Sequence, residues 1–370
     1  MKRFEYVTIV LSLAILAIAA SSSAWATDES TLVDLGTLGG TCYGWDVNDS
    51  GQVAGSAQLV MNGIYHAFLY SDGTMMDLGT LPGGVTSFAY GINQSGQVVG
   101  YSTCTASPYY GHAFLYSGGT MTDLGTLPGT LFSQGLDINN SGQVVGYSSP
   151  MPYNVGHAWL YSDGTMTDLG TLPGGSVSVA GDINDSGQVV GTSETNGFYE
   201  HAFLYSNGTM TDLGTLPGGS SSGACGINSS GQIVGASDSG SSGGFTHAFL
   251  YSNGTMTDLG FAGMAVSIND SGQIVGWANC GGFLYTDGVM YDLNDLIDPS
   301  CGWRIIEAEG INNAGQITGD MVNQQGYQHA FLLTPGTLPP PKIGAEPGTM
   351  ALIVPAILGF AGIAFRRMRK

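Results

Sequence analysis

Stretches of five to eight residues rich in Val, Ile, Phe, Tyr and Thr alternate with Gly-, Ser-, Asn- and Asp-rich breaks along most of the chain. Such runs read as strands, and the breaks read as tight turns. One break, Asn-x-(Ser/Ala)-Gly-Gln, recurs seven times, with its glycine at Gly51, Gly96, Gly142, Gly187, Gly231, Gly272 and Gly315. The second copy shows the full unit: SFAYGIN at 87–93, a turn, GQVVGYS at 96–102, a variable loop, HAFLY at 112–116, a second turn, and TMTDLGTL at 120–127. Second turns such as Ser-Asp-Gly (71–73, 162–164) and Ser-Asn-Gly (206–208, 252–254) suit a type I′ hairpin, because Asn or Asp before Gly tolerates positive φ.

Two hairpins per unit predict four strands, and four-stranded units of about 45 residues are the sequence signature of propeller blades. The ends of the array point the same way. The segment 32–38 (LVDLGTL) matches a fourth strand but precedes the first complete unit, whereas the seventh unit stops after its third strand, 329–333 (HAFLL). An orphan fourth strand at the start and a missing one at the end are what a ring zipped across its termini needs; a solenoid would carry polar caps. The expectation is all-β: a seven-bladed propeller of four-stranded blades, closed by an N-terminal strand completing the last blade.

The chain divides into 1–26, 27–334, 335–348 and 349–370. Residues 1–26 have the three parts of a signal peptide: Lys2 and Arg3, an apolar run at 7–20, and Ala24-Trp25-Ala26 as a small-x-small cleavage site. The seven repeats fill 27–334. A Pro/Gly-rich linker covers 335–348, and 349–370 holds an apolar run ending in Arg366, Arg367, Arg369 and Lys370. That run predicts membrane contact through a C-terminal helix, with its basic end on the cytoplasmic side.

His-Ala-Phe recurring with Asp-Leu-Gly-Thr-Leu and Asn-x-Ser-Gly-Gln-Val-Val-Gly resembles the HAF-type extracellular repeat family over residues 31 to about 334. The resemblance implies an extracellular repetitive β protein and no particular activity. The sixth copy departs from it, with Gly281-Gly282-Phe283 where the others have His-Ala-Phe or His-Ala-Trp. The C-terminus resembles the PEP-CTERM sorting signal of Gram-negative bacteria, which implies an exosortase-type processing partner. Of that motif Glu346-Pro347 is present, and Ala345 stands in place of its first proline.

Charge narrows the partners. Of eight basic residues, Arg304 alone lies between the leader and the linker, so the repeats are strongly anionic. A domain with one cation cannot displace the counterions of a nucleic acid, and anionic lipid surfaces are disfavoured for the same reason. A glycan, a surface protein or a cation remains compatible.

Candidate chemistry is sparse. Six histidines, His66, His112, His157, His201, His247 and His329, open the third strand of their units. One per unit at a fixed position suits blade packing or turn hydrogen bonding better than a metal centre, and none is assigned to catalysis. Asp46, Asn48, Asp182 and Asn184 offer oxygens at alternate positions, as calcium loops do, but several copies lack the first Asp and none has the bidentate Glu. An Asx-type turn explains the asparagines without metal; no cofactor is assigned, and calcium is the alternative. Of the five cysteines, Cys280 and Cys301 are the disulfide candidate because both sit in irregular sequence.

Sites must break the sevenfold repetition, which directs attention to the variable loops and the stretch 297–310. Tyr109, Tyr110, Tyr153 and Tyr199, with Trp303 and Arg304, are the ligand-binding candidates, offering flat apolar faces with polar tips; Arg304 is expected to pair with a carboxylate. The reading is a non-enzymatic binding or matrix module of the envelope or biofilm. An enzyme, a lyase or hydrolase on extracellular polysaccharide, and a structural spacer are the alternatives.

Overall fold

The computed structural model describes residues 29–60, 63–105, 107–150, 156–196, 199–240 and 246–340. The leader at 1–26, Glu346-Pro347 and the segment 349–370 lie outside the described residues. The described chain is all-β apart from two short 3-10 turns.

Four sheets have four antiparallel strands in simple meander order, a fifth combines three consecutive strands with one from the N-terminus, and a sixth has seven strands. The first repeat shows the pattern: Cys42–Val47, Val53–Gln58, Tyr65–Ser71 and Thr74–Asp77, each paired with the next. The second hairpin is the expected one, with Asp72 at φ +51° and Gly73 at φ +78°. Thr31–Asp34 pairs antiparallel with Gln328–Thr334, so the N-terminal strand becomes the outer strand of the last sheet.

The seven-stranded sheet corrects the expectation of uniform four-stranded units. Thr255–Ile268 runs unbroken for 14 residues, serving as last strand of the fifth repeat and first strand of the sixth. At the four preceding junctions Thr-Leu-Pro-Gly (80–83, 126–129, 171–174 and 215–218) separates these two strands; Pro lacks an N–H and restricts the residue before it. In the sixth repeat Gly260-Phe-Ala-Gly263 replaces it and pairing continues. The Gly281-Gly282 departure has a steric cause. A Cβ on Gly281 would lie 2.6 Å from the Ile305 carbonyl oxygen, and one on Gly282 would lie 2.8 Å from Ile305 Cγ2.

The core is distributed between neighbouring sheets. The third-strand aromatics Phe68, Phe114, Trp159, Phe203, Phe249, Phe283 and Phe331 are fully buried, each in a cluster with Ile, Val and Leu. Polar groups lock sheet to sheet. The hydroxyls of Ser87, Ser133, Ser178 and Ser222 accept from the N–H groups of Ala67, Ala113, Ala158 and Ala202 on the preceding repeat. They donate to the carbonyls of Gly79, Gly125, Gly170 and Gly214. In the first repeat Cys42 takes this place, its Sγ accepting from Ala330 N–H at 3.1 Å and donating to Gly36 O at 3.0 Å. Burial pushes this thiol up to about 12.

Among the described residues no helix is long and apolar enough to cross a membrane. That finding corrects the expectation of membrane contact through a helix; the segment on which it rested lies outside the described residues.

Candidate functional site

The seven motif asparagines form a closed cycle. The Nδ2 of Asn48 donates to the carbonyl of Asn93, Asn93 to Asn139, then Asn184, Asn228, Asn269 and Asn312, and Asn312 returns to Asn48, at 2.8–3.1 Å. Each Nδ2 also donates to the Oε1 of the motif glutamine four residues on, as Asn48 does to Gln52 at 2.8 Å. Each Oδ1 accepts the glutamine N–H, as Asn48 does from Gln52 at 3.1 Å. The asparagines are 1–6% exposed, so every donor and acceptor is used where an unmet one would be costly. Asn48 and Asn184 therefore have no oxygen left over for calcium.

Beside this cycle opens a cavity of about 190 Å³, lined by Asp46, Asp137, Asp182, the asparagines and the residues that follow them. Each innermost strand has a bulge just before the aspartate position, for example between Gly44 and Asp46. Asp46, Asp137 and Asp182 each accept a backbone N–H from the next repeat: Ile92 at 2.9 Å, Ile183 at 3.0 Å and Ile227 at 2.7 Å. Burial first, then the Asp137 charge, raises Asp46 to about 7. Burial likewise raises Asp137, reinforced by the Asp182 charge, and raises Asp182. Asp137 belongs beside the pair singled out from sequence; its shared repeat position was the available signal. The donor oxygens of these three do not lie within 4.8 Å of one another, too far apart for one ion to meet all three.

All six histidines bind an aspartate through Nδ1 at 2.8–2.9 Å: His66 to Asp77, His112 to Asp123, His157 to Asp168, His201 to Asp212, His247 to Asp258 and His329 to Asp34. All six of those aspartates also cap the turn that follows them, as Asp123 does at Gly125 N–H, 2.8 Å. Burial pushes Asp123 upward, but the hydrogen bonds from His112 and Gly125 outweigh it and hold the carboxyl below its usual range. The repeated histidine is thus a fastener between third and fourth strands.

Two features break the repetition. Rings touch continuously over the first three repeats, stacked from Tyr65 to Phe88 (5.4 Å between centroids) and Phe88 to Tyr101 (5.3 Å), and tilted or edge-on from Tyr43 to Tyr65 (6.1 Å), Tyr101 to Phe132 and Phe132 to Tyr147 (both 5.7 Å). Where Phe88 faces Tyr101, the fourth and fifth repeats have Val179 facing Thr192 and Gly223 facing Ala236. In the seventh repeat that pair is Glu307 facing Asp320. Asp320 is 2% exposed and accepts from Gly44 N–H and Gln328 Nε2. Burial, then the Glu307 charge, raises Asp320 and Glu309 well above the carboxylate range, and Glu309 hydrogen-bonds Glu307.

The predicted binding residues are dispersed. Tyr109 and Tyr110 lie on Ser107–Ser117, and Tyr110 is half-buried. Tyr199 is 53% exposed, its carbonyl accepting from Thr195 N–H at 2.8 Å; Tyr153 falls outside the described residues. Trp303 packs on His329, ring centroids 4.8 Å apart. Arg304 donates to the Cys280 carbonyl at 3.2 Å rather than to a carboxylate, correcting the expected ion pair. Cys280 and Cys301 are not joined; all five cysteines are free. Sequence reading missed Phe88, Tyr101, Phe132, Tyr147 and Asp320, because repeat-to-repeat contact does not show in the pattern of one unit.

No protein-family model and no curated protein matches the sequence. Solved structures do resemble the fold. TolB from Acinetobacter baumannii matches at 11% identity and a TM-score of 0.44, over 80% of this chain, which spans 64% of the TolB chain. A gluconolactonase from Xanthomonas campestris matches at 11% identity and 0.40, over 83% of this chain and 90% of that one. The β-propeller domain of the Trilobed protease from Pyrococcus furiosus matches at 10% identity and 0.52, over 79% of this chain and 95% of that domain. That last likeness, together with the meander sheets and repeats, shows a β-propeller fold.

Proposed function

We propose that the chain is an exported surface module: a closed seven-bladed propeller that holds a glycan or protein of the cell envelope on its aromatic sector. The seven-membered asparagine cycle supports the blade count, since each member comes from a different repeat and the last returns to the first. The pairing of Thr31–Asp34 with Gln328–Thr334 supports closure. The signal-peptide pattern and the HAF-type resemblance support export.

The observation that carries the binding role is the run of touching rings from Tyr43 to Tyr147, confined to three repeats. Half-buried tyrosines present a flat apolar face and a polar tip, the combination that sugars and protein loops use. Their confinement to one sector is what a binding face needs and a repeated packing device does not. A retention assay with the full chain on glycan arrays and envelope polysaccharide tests the reading. Retention should fall at least about tenfold in Tyr65→Ala and Tyr101→Ala, and persist in Tyr327→Ala, which changes an exposed tyrosine of the seventh repeat. Equal retention by all three folded variants would remove the sector from the binding role.

A second reading, an acid–base enzyme on extracellular polysaccharide, is favoured by the Glu307, Glu309 and Asp320 cluster, in which burial and the Glu307 charge raise Glu309 and Asp320. Turnover of a polysaccharide by the wild type that disappears in Glu307→Gln would establish it; retention without turnover favours the first reading.

A further inference from the structure

Three neighbouring strands of the second repeat bring a thiol, an imidazole and a carboxylate to one edge. Cys104 ends Val98–Cys104, His112 lies on Ser107–Ser117, and Asp123 lies on Thr120–Gly125. One donor atom from each lies within 4.8 Å of the other two. The imidazole and carboxylate are already aligned, with His112 Nδ1 2.9–3.0 Å from both Asp123 oxygens.

The histidine–aspartate pair occurs in five other repeats, where the position of Cys104 carries Leu59, Pro150, Thr195, Ser239 and Asn323; the sixth repeat has Cys280 there but Gly281-Gly282 in place of the histidine and alanine. Cys104 is also 8% exposed, so its sulfur faces the pair rather than solvent, unlike the exposed Cys301. Structural fastening explains the pair everywhere; the second repeat alone sets a thiol beside it.

We propose that Cys104, His112 and Asp123 bind one divalent ion of the zinc class, with a fourth position left to solvent. Thiolate and imidazole select a borderline-soft ion over calcium or magnesium, which take oxygen shells. In a tetrahedral zinc site such donors stand about 3.4–3.6 Å apart. Any proton on the ligating sulfur or nitrogen must pass to solvent when the ion binds, so affinity falls as the pH drops. The other five histidine–aspartate pairs serve as built-in controls.

Cobalt(II) titration of the full chain, reduced and stripped of metal, tests the site, with zinc added afterwards as competitor. The expected result is one cobalt ion per chain with a thiolate-to-cobalt charge-transfer band that zinc displaces. Cys104→Ser and His112→Asn should each abolish the band. His157→Asn, which changes a pair lacking a thiol, and Cys301→Ser, which removes the exposed thiol, should leave it unchanged. A wild type with no band overturns the proposal whatever the variants do. A band that survives in Cys104→Ser, or vanishes in Cys301→Ser, also overturns it.

Discussion

His329 Nδ1 lies 2.8 Å from an oxygen of Asp34, 295 positions earlier in the chain, and repeats the geometry joining His66 to Asp77 across eleven. A contact made locally in five repeats is made between the two ends of the array in the last. The same exchange occurs at Cys42, which takes from Ala330 the N–H that Ser87 takes from Ala67.

If the terminal strand is docked as firmly as the internal ones, Asp34→Ala should destabilise the protein by about 1–2 kcal/mol, the same as Asp123→Ala. Each loses a histidine contact and a turn N–H, to Gly36 and Gly125 respectively. Urea unfolding of the two variants checks this. A negligible cost for Asp34→Ala alone would mean that the closing strand adds nothing to stability.

Asn139→Asp should cost more than either, about 2–4 kcal/mol. The carboxylate keeps the acceptor but removes both donors, taking one partner from Gln143 Oε1 and leaving the Asn184 carbonyl with the Gly187 N–H alone, and it buries a charge beside them. Asn253→Asp, at an exposed turn position where other repeats carry Asp72 and Asp163, is the control and should change stability by less than about 1 kcal/mol.

The cavity carboxylates set a pH dependence. Asp46 titrates at about 7 when folded and near 4 when unfolded, and Asp137 and Asp182 are raised in the same direction. Between the two values the folded chain binds more protons, so stability is greatest at acidic pH and falls as the pH rises through about 7. Thermal unfolding should therefore give a higher Tm near pH ~5 than near pH ~8. Asp46→Asn should flatten the difference and raise Tm at pH ~8 by a few degrees, at about 2–4 °C per kcal/mol. Glu309 and Asp320 act in the same direction, so flattening will be partial.

Thiol chemistry separates the cysteines. Cys301 is exposed and should react with an alkylating reagent in the native state, whereas burial keeps the Cys42 thiol protonated at neutral pH and out of reach. Mass mapping after a short pulse should find Cys301 modified and Cys42 only after unfolding. Cys42→Ser should be tolerated within about 1 kcal/mol, because serine does the same work in four other repeats.

Much of the fold was legible because the turns carry it. Asn-x-Ser-Gly-Gln and Ser-Asp-Gly state where strands end, and the orphan strand at 31–34 finds its partner by the repeat pattern alone. The fusion of two units through Thr255–Ile268 was less visible, although loss of the proline loop explains it. The candidate sites were poorly legible. Tyr199 stands out in sequence as a loop aromatic, yet the continuous run of rings is built by Phe88, Tyr101 and Phe132 on strands, where aromatics read as ordinary core.

By itself the sequence determined the strand pattern, the type I′ hairpins, the repeat count and the anionic character of the array. These depend on residues close in the chain, where φ preferences and local hydrogen bonds act. Only the tertiary structure decided that seven asparagines bond one another in a cycle, that Asp46, Asp137 and Asp182 line one cavity, and that Cys104 lies beside His112 and Asp123. Those relationships join side chains through the packing of sheet on sheet or the stagger of adjacent strands, and a linear pattern holds no record of either distance.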